Sequence, residues 1–283
     1  MRRLILALPL LAACETPVGL RLPTGAEPFT PPAIYREWWA LTEACSGLQG
    51  DFSRIAWFRV PGAETIPLAD GTLVNGRWDP VSNRIVLAGQ SERFGDLVRH
   101  EMLHALLPAG GQAPGHPRDA FIGRCGGTVV CDALCIKDAG PPPPPDPAAT
   151  MVAPSALQIA VELVPAQPSV SVNDGWFRMV VTARNPMAGP VLVQLPPSGD
   201  PGPPASFSYD ITDRPLSSGY RYDKRADVPE VSRFAPFETK QFIFDKQIGA
   251  GQTAYDIPPG RYWFNGAYGG VWAPTPPTVT LSP

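Results

Sequence analysis

His100, Glu101 and His104 stand in the order H-E-x-x-H within the stretch Val98-Arg99-His100-Glu101-Met102-Leu103-His104-Ala105-Leu106-Leu107. On a helix, residues four apart are neighbours, so both imidazoles can meet one divalent ion. Glu101, about 100° round the helix from His100, flanks that ion. The chain of 283 residues has three histidines, and the third, His116, follows in the same region. A catalytic zinc site takes three protein ligands and keeps a fourth position for water. The residues therefore predict a Zn2+ site held by His100, His104 and His116, with Glu101 placed as general base to take a proton from water and pass it on. The competing reading is a pair of exposed helix histidines that hold nothing.

The helix carrying these residues is predicted to begin after Ser91, an N-cap residue, and to end at Pro108. Phe94, Val98, Met102 and Ala105 then share an apolar face for a sheet, and the histidines project on the other side, within about 40° of each other. Upstream, Ile34, Trp38, Leu41 and Cys45 fall on one helical face over residues 31–49, with Ser46-Gly47 as a stop signal. Trp38 and Trp39 read as core. Between the helices, Ser53–Val60 alternates like a strand, Asn75-Gly76 within 71–78 reads as a hairpin turn, and Arg84–Ala88 is a compact strand. This order predicts a helix, a small antiparallel sheet and a second helix. Strand Arg84–Ala88 is a candidate to pair with an extended peptide. After Pro108 a Gly/Pro turn reverses the chain and delivers His116, with a short helix expected over 117–124.

Net charge is −3 and charged residues make up 17%. No basic excess exists to hold a nucleic acid backbone, so no nucleic acid partner is expected. Arg2-Arg3 followed by the apolar run Leu4–Leu11 has the make-up of an export signal and is too short to span a bilayer. An exported chain makes the remaining cysteines candidates for disulfides. Setting Cys14 aside, these are Cys45, Cys125, Cys131 and Cys135. Of three pairings, the close spacing of Cys131 and Cys135 suits a local loop and leaves Cys45–Cys125 as the long bridge. A zinc site built from the four cysteines is the alternative.

Residues 139–150 contain five consecutive prolines, a stiff spacer and the clearest boundary in the chain. Beyond it, 151–283 has no His and no Cys. Strand-like runs at Leu157–Val164, Trp176–Ala183, Val191–Leu195, Ser206–Ile211, Thr239–Phe244 and Arg261–Tyr268 alternate with turn clusters, the pattern of a β-sandwich.

Three resemblances attach to these residues. Leu11-Ala12-Ala13-Cys14 resembles the lipobox of bacterial lipoproteins. It implies a signal peptide over 1–13, lipid on Cys14, a tether over 14–30, and an extracytoplasmic place in a bacterial cell envelope with the membrane as partner. HEMLH resembles zincin metallopeptidases, and HEMLHALL followed by GHPRDAF resembles their SprT-like branch. That likeness covers about 30 residues and implies a zincin-like domain over 31–138, a peptide or protein substrate, His100, His104 and His116 as ligands, and Glu101 as base. The interval from His104 to His116 is shorter than in that branch, and Pro117 stands where a Gly is usual. Position 110, where a metzincin places its third His, is Gly110. Asp119 is the other candidate for the third ligand. In strand rhythm, 151–283 resembles bacterial Ig-like modules of the proteinase-inhibitor-like kind.

The expected fold class is thus α+β: a small zincin-like domain with its helix on an antiparallel sheet, then an all-β Ig-like domain. The expected function is a lipid-anchored, zinc-dependent peptidase. Its competitors are a metal-holding scaffold lipoprotein and a chain whose C-terminal module, as an inhibitor or adhesion domain, carries the function. Many zincins use a His or Tyr to stabilise the oxyanion. Here Tyr35 is the one tyrosine before the linker, and Arg99 and Arg118 are candidates by proximity, with surface arginines as the plainer reading. Asp96 and Asp119 are candidates to orient ligand imidazoles.

Overall fold

The computed structural model describes residues 21–108, 115–131, 133–141, 144, 146–166, 175–195, 207–212, 231–247 and 260–281. Cys14 and the expected export signal lie outside them, as do Gly110 and parts of the linker. The described chain is α+β, and no helix in it is long and apolar enough to cross a membrane.

Helix α1, Ile34–Ser46, ends where Gly47 takes a left-handed conformation (φ 71°) and its N–H caps the Glu43 carbonyl at 2.9 Å. Tyr35 and Trp38 are fully buried and stacked, with centroids 4.9 Å apart. Burying side chains of this size contributes about 2–3 kcal/mol each, which fixes α1 as a core element.

Strands β1 (Glu27–Pro28), β2 (Ala56–Val60), β5 (Gly76–Asp79) and β6 (Arg84–Ala88) form one sheet in the order β1-β2-β6-β5. Strands β3 (Ile66–Pro67) and β4 (Leu73–Val74) form a separate small pair. The expectation of an antiparallel sheet is corrected here: β2 and β6 run parallel, while β1 and β5 pair antiparallel with their neighbours. Asn75-Gly76 is not a hairpin turn. The chain leaves β4, which pairs with β3, and enters β5, which pairs with β6, so the dipeptide marks a change of sheet. Strand β6 has partners on both sides and cannot take up a peptide; among the described residues β5 pairs only with β6 and is the edge.

Helix α2, Gly95–Leu106, carries the H-E-x-x-H residues. It starts later than Ser91 because residues 89–93 form a 3-10 turn that accepts the Phe94 N–H at the Ser91 carbonyl, 3.1 Å. Val98, Met102 and Leu106 pack with Trp78, Ile85 and Leu87 of the sheet and with the aromatic side chains of α1. Phe94, expected on that face, is exposed because it precedes the helix. Downstream come a π-helical segment, Asp119–Arg124, whose Cys125 N–H reaches the Ala120 carbonyl at 2.9 Å, and helix α3, Ala133–Asp138. Disulfides join Cys45 to Cys125 and Cys131 to Cys135, the pairing expected from spacing. They fasten the segment after His116 to α1 and close the start of α3 on itself.

Among its described residues, the regular elements of the second half are strands apart from one short 3-10 turn, Pro154–Ala156. Its strands are β7 (Thr150–Val152), β8 (Gln158–Val164), β9 (Trp176–Arg184), β10 (Val191–Gln194), β11 (Phe207–Thr212), β12 (Val231–Phe234), β13 (Thr239–Gln247), β14 (Gly260–Tyr268), β15 (Val271–Trp272) and β16 (Thr278–Leu281). They pair as β12-β10-β7, β13-β9-β8, and β11-β14-β15 with β16 also on β14. Alternate residues build one core: Phe177, Met179, Val181 and Ala183 of β9 meet Phe242 and Phe244 of β13 and Phe264 and Tyr268 of β14.

The opposite faces of β9 and β13 are covered by the first half at the end that carries Trp176 and Asp245. Trp176 packs edge to face against Trp38, with centroids 5.3 Å apart, and belongs to the first core. Asp245 pairs with Arg99 of α2, and both side chains are buried. Arg99, read from sequence as a surface residue, is thus a fully buried contact between the two halves.

Candidate metal centre

Helix α2 delivers His100 and His104 from adjacent turns, and the segment leading into the π-helical stretch delivers His116. The Nε2 atoms of His100, His104 and His116 lie 3.2 Å from one another in all three pairs. Three nitrogens bound at about 2.0–2.1 Å to one tetrahedral centre stand about 3.3–3.4 Å apart, so the donor set fits an ion of zinc's size. Phe121, fully buried, forms a common floor: its ring centroid is 4.9 Å from that of His100, 4.8 Å from His104 and 4.9 Å from His116. An apolar floor fixes the ring planes and leaves the nitrogens as the polar atoms that face one another.

The outer nitrogens settle the tautomers. His100 Nδ1 is 2.6 Å from the Val130 carbonyl oxygen, which can only accept, so Nδ1 carries the proton and Nε2 presents its lone pair. His116 Nδ1 is 2.9 Å from Asp138 Oδ2, and the same oxygen accepts the His116 backbone N–H at 2.6 Å. These bonds, the backbone one foremost, hold the Asp138 carboxyl below the usual carboxylate range. Gly115 is needed for the approach, since a Cβ there would sit 2.8 Å from Asp138 Oδ2.

Asp138 was not anticipated from sequence. The only signal for it was a carboxylate shortly before the proline run, which is no signal for a histidine partner. The two aspartates suggested for that task have other contacts. Asp119 pairs with Arg124 at 2.9 Å on an exposed surface, and the Asp96 carboxylate accepts the Leu97 N–H at 3.0 Å while its carbonyl accepts the Val130 N–H at 3.2 Å. Asp119 therefore does not join the cluster as a third donor.

Glu101 is 5% exposed and faces β5, where a Cβ on Gly76 would stand 3.0 Å from its Cγ and Oε1. The acid next to the histidines is thus lodged against the edge strand, at a position where a side chain would crowd it.

Cys135 Sγ lies within 4.8 Å of ring nitrogens of both His100 and His116. Proximity alone makes it a donor, but its sulfur is bonded to Cys131 and carries no thiolate. The three imidazoles are the better set, because their lone pairs meet at one point.

None of the three candidates for oxyanion stabilisation reaches the cluster unengaged. The Tyr35 hydroxyl donates to the Glu92 carbonyl at 2.7 Å in the first core, and burial foremost raises its pKa well above the usual tyrosine value. Arg99 is committed to Asp245, and Arg118 donates to the Gly140 carbonyl.

No family model matches the chain, and no curated protein matches it. One solved structure that aligns with part of it is Pseudomonas fluorescens alkylpurine DNA glycosylase AlkC bound to DNA containing an abasic site analog. The alignment has 14% identity and a TM-score of 0.28, and covers 45% of this chain and 31% of that one. A likeness of that size carries no argument about fold or activity.

Proposed function

We propose that the chain is a lipid-anchored, extracytoplasmic, zinc-dependent peptidase, with a zincin-like first domain and an Ig-like second one. The observation that carries the reading is the convergence of three Nε2 lone pairs at 3.2 Å, two of them with Nδ1 protons held by oxygen acceptors. His100, His104 and His116 would hold the ion. Bound zinc supplies Lewis acidity, lowering the pKa of water towards about 7 and polarising a carbonyl.

The chain's own residues do the rest. Glu101 accepts the proton of the attacking water and returns it to the leaving amine, and its burial against β5 keeps the carboxylate at one place. Val130 and Asp138 hold two imidazoles in the tautomer that presents Nε2. Among the described residues β5 has no strand on its outer side, which shifts the expected docking strand from β6 to β5. The lipid anchor rests on Leu11-Ala12-Ala13-Cys14, and the two disulfides suit an oxidising compartment. A net charge of −3 favours a peptide over a nucleic acid substrate.

A second reading, a metal-holding scaffold lipoprotein that hydrolyses nothing, is favoured by the engagement of Tyr35, Arg99 and Arg118 elsewhere. Glu101→Gln separates the two. Peptidase action predicts that wild type cleaves members of a peptide library and that the variant loses about 10²–10⁴-fold in rate at unchanged zinc content. Zinc-loaded wild type that cleaves nothing makes the scaffold reading correct.

A further inference from the structure

We infer that Asp245, in the second half of the chain, is a positioning residue for the metal centre in the first. The inference rests on the proposed metal site. Period-two alternation splits β13: Phe242 and Phe244 enter the strand domain's own core, while Ile243 and Asp245 face α2. Among the described residues β13 is the edge of its sheet, and the first domain meets the backbone groups of Ile243. The Ile243 N–H donates to the Gly127 carbonyl at 2.9 Å, and the Ile243 carbonyl accepts from an Arg99 terminal nitrogen at 3.4 Å. Gly127 can only be glycine there, since a Cβ would fall 1.5 Å from the Gln241 carbonyl oxygen.

Arg99 connects the contact to the site. One terminal nitrogen binds Asp245, and its Nε donates to the Thr128 carbonyl at 2.6 Å. Asp245 is buried as well and takes a second cation, Arg178 Nε, at 3.0 Å. A Cβ on Gly95 would stand 2.8 Å from Asp245 Oδ2, which puts the carboxylate at the first turn of α2, where the helix dipole favours an anion. Gly127 and Thr128 belong to the loop between Cys125 and Cys131, and Val130 in that loop is the acceptor that sets the His100 tautomer. Asp245 therefore orients Arg99, Arg99 and Ile243 hold the loop, and the loop holds His100. The strand domain is a structural part of the metal centre.

The test uses the full chain and measures zinc affinity by chelator competition, together with the visible absorption of the Co2+ form. Asp245→Asn is expected to weaken zinc binding about 10–100-fold and to alter the Co2+ spectrum, with Asp245→Glu restoring most of both. An unpaired buried guanidinium can unfold the chain, so the deciding variant is Arg99→Met with Asp245→Leu, which removes the buried pair while keeping apolar volume and leaves Arg178 its contact with Glu37 at 3.9 Å. It too is expected to lose affinity, because Thr128 loses its donor. Trp176→Ala, which removes an apolar contact between the halves made with Trp38, is the control, expected to lower Tm with a much smaller effect on affinity and spectrum. A folded double variant with wild-type affinity and spectrum overturns the proposal, as does a Trp176→Ala loss equal to that of Asp245→Asn. Wild type that takes up no zinc instead defeats the metal-site reading beneath it.

Discussion

Asp138 grips His116 twice, accepting its backbone N–H at 2.6 Å and its ring Nδ1–H at 2.9 Å through one carboxylate oxygen. One bond fixes where the residue sits, the other which way its ring faces. Together they turn the Nε2 of a histidine outside α2 towards the two that α2 supplies. Neighbours on a helix meet by geometry, but a third donor from a connecting segment needs an anchor of its own.

Asp138→Ala is expected to lower zinc affinity about 10–100-fold, the usual effect of losing a histidine's outer partner. Chelator competition measures it. Asp138→Asn, which keeps an acceptor oxygen, should lose less than Asp138→Ala, and equal losses would argue against the ring bond.

His116→Ala should cost more than about 100-fold in zinc affinity, because it removes a donor rather than its support. Asp119→Ala should leave affinity unchanged, since that carboxylate pairs with Arg124 on the surface. Zinc titrations of both variants decide between them, and the reverse order would make Asp119 the ligand.

Gly76→Val tests the placement of Glu101. Side-chain bulk at this edge position meets the Glu101 carboxylate and must push it aside. Displacement of a catalytic group by about 1 Å costs on the order of 10²-fold in rate. Peptide cleavage should fall by that order while zinc content stays close to wild type, with some loss of Tm because Leu87 is crowded too. A drop in zinc content instead would mean that the strain reaches the histidines.

The two disulfides should contribute unequally. Chain-entropy reasoning gives about 4.5 kcal/mol for a bridge with the 80-residue separation of Cys45 and Cys125, and about 2 kcal/mol for the 4-residue separation of Cys131 and Cys135. Urea denaturation of Cys45→Ser with Cys125→Ser, against Cys131→Ser with Cys135→Ser, measures the two. The short bridge should matter more for zinc than for stability, because it fixes Cys131, the residue next to Val130.

The sequence by itself determined what depends on short spacing and local pattern. A helical repeat puts His100 and His104 on one face and Glu101 beside them, and scarcity of histidine leaves His116 as the natural third. Loop length separates the disulfide pairings. Strand alternation located six of the ten strands described in the second half to within a few residues, because a half-buried strand repeats every two residues whatever it packs on, and it missed the short β7, β12, β15 and β16. Tertiary structure alone decided the rest. That β2 and β6 run parallel, that Asn75-Gly76 changes sheets, and that β5 is the edge all depend on which strand lies beside which, and alternation says nothing about neighbours. Arg99 looked like a surface charge because its partner lies 146 residues away. Asp138 and the Val130 carbonyl carry no pattern at all: one is a single acid before a proline run and the other is backbone. An outer partner of a metal ligand is chosen by where folding places an oxygen, so it becomes visible only once the chain is folded.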